Sequence, residues 1–202
     1  MVERIRTGIL VFDEVEVLDF CGPFEVFSVT RLNPEKRREE PSPFEVFLVA
    51  ERKAPVRATG GLSVNPDHSI DDHPPIDLLV VPGGWGTRKE VQNERLIRWI
   101  ASVAGQARLM SSVCTGAFLL AEAGLLKGKT ATTHWASTQR MRDTYPDISV
   151  LENVRSVDHE KVVTSAGISA GIDSSLRIVR RYFGEAVAAT TARHMEYEGN
   201  WR

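Results

Sequence analysis

The chain has 202 residues, 42% of them hydrophobic and 26% charged, a composition that suits one α/β domain over 1–202 with a full core and excludes a disordered chain. Twenty-five Lys and Arg stand against 27 Asp and Glu, for a net charge of −2, so no basic excess is present to neutralise the phosphates of a nucleic acid. No apolar run approaches the length of a membrane span, residues 1–6 lack a signal peptide's apolar core, and two cysteines make no disulfide framework. A cytoplasmic protein without a membrane or nucleic-acid partner is expected.

In chain order, residues 6–12 are apolar and β-branched and predict a first strand. Residues 13–18 connect it to a helix over 19–31, with Phe20, Phe24 and Phe27 on its apolar side and Pro23 near its first turn. The charged, Pro-bounded stretch 33–43 predicts an exposed loop, and 44–50 a second strand. Residues 57–64 contain Gly60-Gly61 and predict a hairpin or edge strands; 67–75 predicts a loop. The run 76–81 is apolar throughout, as a central parallel strand buried on both faces should be, and Pro82-Gly83-Gly84-Trp85-Gly86 ends it. A helix is predicted over 90–104, a strand over 109–113, and a helix over 115–126 that stops near Gly124 and Gly128. A short strand at 130–132, a helix over 134–145, strands at 150–156 and 161–165, and helices over 169–183 and 184–197 complete the chain, with Ser169 as an N-cap. Strands alternating with helices predict a mostly parallel sheet covered on both faces.

Such sheets bind ligands outside the carboxyl ends of their strands. Three segments fall at those ends: 13–19, 82–86 and Cys114. Cys114 lies where an apolar strand turns into a helix, an elbow that holds a side chain out of the sheet. Free N–H groups at the helix start favour an anion there, so a thiolate nucleophile is expected, against the plainer reading of a buried core cysteine. Gly83, Gly84 and the Thr115 amide supply donors for a developing negative charge. Asp19, Glu16, Glu25 and His134 are the acid/base candidates. Asp19 stands between Leu18 and Phe20, so burial should raise its pKa and keep it protonated; alternatively it is the N-cap of its helix. His134 opens a helix, where capping or packing is the commoner role. The five histidines and two cysteines show no metal-ligand spacing, so neither a metal nor a cofactor is expected.

These residues carry a likeness. Leu18-Asp19-Phe20-Cys21-Gly22-Pro23-Phe24-Glu25, Val81-Pro82-Gly83-Gly84, Ser112-Val113-Cys114-Thr115-Gly116-Ala117, Thr132-Thr133-His134-Trp135 and the run from Thr164 to Asp173 resemble the ThiJ/PfpI superfamily over nearly the whole chain. The resemblance implies a flavodoxin-like, class I glutamine amidotransferase-like α/β sandwich with a nucleophile elbow at Cys114, and a homodimer whose interface lies near the helix starting at Asp19. Within the superfamily the chain is most similar to the isocyanide hydratase branch and to the sensor domains of AraC-type regulators; it ends at Arg202 without their helix-turn-helix region. Asp19 stands where the deglycase branch has a Glu, and Thr115 where the protease branch has a His.

The implied reaction converts a small-molecule isocyanide to an N-formamide. Cys114 would attack, Asp19 would move protons, and Thr115 would hold the Asp19 carboxyl or a water. Gly83, Gly84, Gly167 and Ile168 would line the pocket, with His134 beside them; Trp85 forms a wall or lies on the surface. A sensor module, in which Cys114 meets electrophiles or oxidants, is one alternative. An enzyme for 2-oxoaldehydes that relies on His134 is the other.

Overall fold

The computed structural model describes residues 3–202, so Met1 and Val2, part of the stretch read as lacking a signal peptide's apolar core, lie outside the described residues. Its central feature is a seven-stranded sheet. In chain order the strands are β1 (Ile5–Leu10), β2 (Phe44–Ala50), the hairpin β3 (Val56–Arg57) and β4 (Ser63–Val64), β5 (His68–Ser69), β6 (Leu78–Val81), β7 (Leu109–Val113), β8 (Thr130–Ala131), β9 (Ser149–Val150), β10 (Ser156–Asp158) and β11 (Val162–Ser165). The main sheet runs β10-β11-β7-β6-β1-β2-β5 and is parallel except for β10, which folds back antiparallel on β11. β6 and β7 are buried along their whole length. This is why they read as unbroken apolar runs rather than as alternating ones.

The helices are α1 (Val17–Val29), α2 (Thr87–Glu90), α3 (Glu94–Gln106), α4 (Gly116–Glu122), α5 (Thr138–Thr144), α6 (Ala170–Phe183) and α7 (Glu185–His194). α3 shows the physics most plainly. It buries Leu96, Trp99, Ile100 and Val103, one stripe at helical spacing. Each such side chain contributes about 1.5–3 kcal/mol on burial.

Several elements differ from the sequence expectation. The helix expected over 90–104 starts later than expected: the separate short helix α2 ends at Glu90, and Asn93 caps α3 from Glu94, accepting the Leu96 amide at 3.3 Å. The helix expected over 134–145 begins with a 3₁₀ turn, Trp135–Ser137. The strand expected over 150–156 is only β9, followed by a turn through Asn153 with φ 58° and then β10. The loop expected at 67–75 contains β5, a two-residue edge strand on β2. Ser169 is the N-cap of α6 by position, but its side chain does not cap; its hydroxyl faces the Arg155 guanidinium at 3.3 Å instead.

β1 connects to β2 on one side, while the chain returns through β6 on the other. The order therefore reverses beside β1, and a crevice opens at the carboxyl ends of β1, β6 and β7. Among the described residues no helix is long and apolar enough to cross a membrane.

Candidate active site

Three loops meet in that crevice. Cys114 follows β7 directly, with φ 56°, in the left-handed region that a side chain seldom occupies. The surrounding structure holds it there. Its amide donates to the carbonyls of Ser165 and Ala166, both at 3.1 Å, and its carbonyl accepts the Thr133 hydroxyl at 2.8 Å. The Pro82-Gly83-Gly84 turn packs onto this elbow. A Cβ on Gly83 would lie 2.5 Å from the Thr115 nitrogen and 2.9 Å from the Cys114 Cβ, so only glycine fits.

Gly83 also receives the segment from β1. Its carbonyl accepts the Glu16 amide at 2.9 Å, and its own amide donates to Asp19 Oδ2 at 2.9 Å. Asp19 is fully buried in the first turn of α1. The expected N-cap role falls to Glu16, because α1 starts at Val17 and the Asp19 side chain turns inward to Gly83. Asp19 Oδ1 has no hydrogen bond of ordinary geometry among the described residues. The Cys114 thiol interacts with this carboxyl strongly enough to affect the titration of both groups.

Burial raises the Asp19 pKa to about 7, and the Glu16 charge adds to the shift; the Gly83 hydrogen bond and the thiol oppose it. The Cys114 thiol is pushed up to about 12, first by burial and then by the negative charge of Asp19. The amide and hydroxyl of Thr115 oppose that shift by favouring the thiolate. A freely stabilised thiolate was expected from the helix start, and the structure corrects this. α4 is only seven residues long, and burial beside a carboxylate outweighs its donors. With the carboxyl near 7 and the thiol near 12, the pair holds two protons below about pH 7 and a single proton above it. Ionised sulfur requires a protonated Asp19.

Thr115 faces away from the expected carboxyl contact. Its hydroxyl accepts the Gly84 amide at 3.0 Å and lies 3.1 Å from the Thr87 hydroxyl, which donates to the Gly84 carbonyl at 2.8 Å. Gly83, rather than Thr115, holds Asp19.

Beyond the thiol lies a cavity of about 310 Å³, within the range of small-molecule sites. Cys114, Thr115, Gly84, Trp85, His134 and Ile168 line it, and so do Glu16 and Arg88. Trp85 serves in both of its expected ways, as a wall and as a side chain 63% exposed. Gly83 and Gly167 stand behind the wall, contrary to expectation. Gly167 is a spacer under the His134 ring, where a Cβ would come within 2.1 Å of Cδ2. His134 Nδ1 accepts the Ala136 amide at 3.3 Å, capping the 3₁₀ turn. Glu25 is exposed and not among the lining residues. Arg88 and Ser137, also in the wall, had no signal in the sequence; no element was expected over 87–89, where α2 carries Arg88. Among the described residues no group of three or more His, Cys, Asp or Glu side chains is placed to hold a metal ion.

Comparison with known proteins agrees with this architecture. Residues 6–181 match the model of the DJ-1/PfpI family. The chain is 34% identical over 194 residues to an isonitrile hydratase of Pseudomonas putida, covering 96% of this chain and 78% of that protein. It is 32% identical over 143 residues to the HTH-type transcriptional regulator GbdR of Pseudomonas aeruginosa, covering 71% of this chain and only 38% of the regulator. The fold superposes on a ThiJ/PfpI family protein from Pseudomonas syringae with a TM-score of 0.84 at 27% identity, over 98% of this chain and 76% of that one. Fold, elbow and these similarities together place the chain in the DJ-1/PfpI family.

Proposed function

We propose that the protein hydrates small isocyanides (isonitriles) to N-formamides, with Cys114 as nucleophile and Asp19 as the proton carrier. The observation that carries this reading is the buried pair itself: a carboxyl with a raised pKa, anchored through one oxygen by Gly83, against a thiol at the floor of a cavity. The similarity to an isonitrile hydratase over most of both chains supports it.

The chemistry follows from the single shared proton. In the reactive tautomer Asp19 is protonated and Cys114 is ionised. Sulfur attacks the terminal isocyanide carbon, and Asp19 delivers its proton to that carbon, giving a thioimidate, R–N=CH–S–Cys. Water then adds to the carbon while ionised Asp19 takes one of its protons and passes it to nitrogen. The resulting R–NH–CH(OH)–S–Cys collapses: the hydroxyl proton returns to Asp19, the C–S bond breaks, and the formamide R–NH–CHO leaves. The site ends as it began, having consumed one water. General acid–base assistance of this kind contributes about 10²–10⁴-fold. The Thr115 amide and hydroxyl support the thiolate at the start and at the final expulsion of sulfur.

Turnover of p-nitrophenyl isocyanide, followed by absorbance in wild type and Cys114→Ala, tests the reading. Cysteine-dependent hydration supports it. No hydration by folded, reduced wild type counts against it and favours a sensor, the second reading, which draws on the similarity to GbdR. The family resemblance supports a homodimer acting in the cytoplasm; light scattering on the eluted peak tests the stoichiometry.

A further inference from the structure

Arg88 sets the cavity apart from a plain apolar pocket. It lies in the wall together with Cys114, its guanidinium 3.9 Å above the Trp85 ring. Stacking of this kind fixes the plane of the guanidinium and leaves its N–H edges free. No ion pair engages it among the described residues, whereas Arg6, Arg95, Arg142, Arg155 and Arg181 each have an acidic partner. A second guanidinium, that of Arg140, stacks 4.1 Å from the Phe118 ring. It has no acidic partner among the described residues, and its buried Nε has no hydrogen-bond acceptor. Arg140 feels the charge of Arg88: burial and that second cation lower its pKa. Arg88 and Arg140 act on each other and neither has an acidic partner among the described residues, a standing cost that an incoming anion would relieve.

The opposite charge in the wall has a defined place. Glu16 also lines the wall, and its charge acts on Asp19, the partner of the thiol. The cavity is therefore negative at its reacting end and positive at Arg88, which orients a polar substrate. An anionic group would turn toward Arg88 while an uncharged reacting group reaches Cys114. A guanidinium edge matches the two oxygens of a carboxylate.

We propose that the preferred substrates are isocyanides that carry a carboxylate, with Arg88 as the residue that binds it. The inference rests on the hydratase reading and adds the substrate class to it. The test compares 4-isocyanobenzoate with its neutral methyl ester in wild type, Arg88→Met and Arg88→Lys. Wild type should favour the carboxylate by about tenfold in kcat/KM, the size of one hydrogen-bonded charge contact. Arg88→Met should bring the ratio to about one, with the loss falling on KM, since this contact is the same in ground and transition states. Arg88→Lys, which keeps the charge but not the planar edge, should fall between. Hydration of both compounds without a carboxylate preference in wild type, or a preference that survives in Arg88→Met, would overturn this proposal and leave the hydratase reading intact. Hydration of neither would overturn both.

Discussion

Gly83 donates its amide hydrogen to Asp19 Oδ2 at 2.9 Å, while its α-carbon rests against the Cys114–Thr115 elbow. One residue thus sets the distance between the proton carrier and the thiol. In Gly83→Ala the new methyl would meet the Thr115 nitrogen at 2.5 Å and Thr115 Oγ1 at 2.6 Å, so the elbow or the turn must move. Overpacking of this kind costs about 1–3 kcal/mol of stability. The effect on turnover should be larger, about 10²-fold in kcat, because the reacting groups lose their alignment. Thermal melting and isocyanide kinetics on the same preparation separate the two effects. A variant with wild-type kcat would show that the Gly83 contact does not position the pair.

Asp19 gives a pH signature with a definite sign. Its folded pKa of about 7 lies above its ordinary value of 3.8. The native state therefore holds a proton that the unfolded chain releases, and stability falls as pH rises from about 4 to 7. The full difference is of order 4 kcal/mol at pH 8. Asp19→Asn keeps an oxygen for the Gly83 amide and removes the charge. It should be more stable than wild type at pH 8 and close to it at pH 4, as read by urea melts at both pH values. The same variant should lose at least 10²-fold in hydration, having no proton to deliver. Equal wild-type stability at the two pH values would contradict a raised Asp19 pKa.

This pair shows how far the chain could be read before folding. Asp19 between Leu18 and Phe20, and Cys114 at the end of an apolar strand, are local signals that survive into the structure. The parallel sheet was legible for the same reason, since 76–81 and 109–113 carry the unbroken apolar runs of central strands. The balance of charges at the site was not legible, because it depends on how deeply the thiol is buried and on how short α4 is. Arg88 was hidden differently. Four residues of helix after a glycine turn have no periodicity to detect, yet α2 carries this cation into the cavity. Gly167 was read as lining because spacing cannot tell a wall from the spacer behind it.

The coupling between thiol and carboxyl predicts an unusual reactivity. Burial and the Asp19 charge hold the Cys114 thiol near 12, so alkylation by a neutral reagent at pH 8 should be slow in wild type. Asp19→Asn removes the second cause and leaves the first. Its Cys114 should therefore titrate lower and alkylate faster at pH 8, by about tenfold or more for each unit of pKa recovered. Mass spectrometry of labelled peptides keeps Cys114 apart from Cys21, whose own pKa is raised by burial. Slower labelling in the variant would mean that Asp19 supports the thiolate rather than opposing it.

His134 separates the hydratase from an enzyme for 2-oxoaldehydes. Its ring lines the cavity, with Nδ1 occupied by the Ala136 amide and Gly167 packed beneath Cδ2. The proposed hydration moves its protons through Asp19, which lies against the thiol, so it asks of His134 only shape. His134→Ala should then lower kcat/KM for p-nitrophenyl isocyanide by less than tenfold, chiefly through KM, since one wall contact is lost. A 2-oxoaldehyde reaction that uses the imidazole as its acid or base would lose about 10²-fold or more in kcat in the same variant. Measuring isocyanide and methylglyoxal turnover side by side decides the matter. A collapse of isocyanide kcat in His134→Ala would place the imidazole in the proton path and require the role of Asp19 to be redrawn.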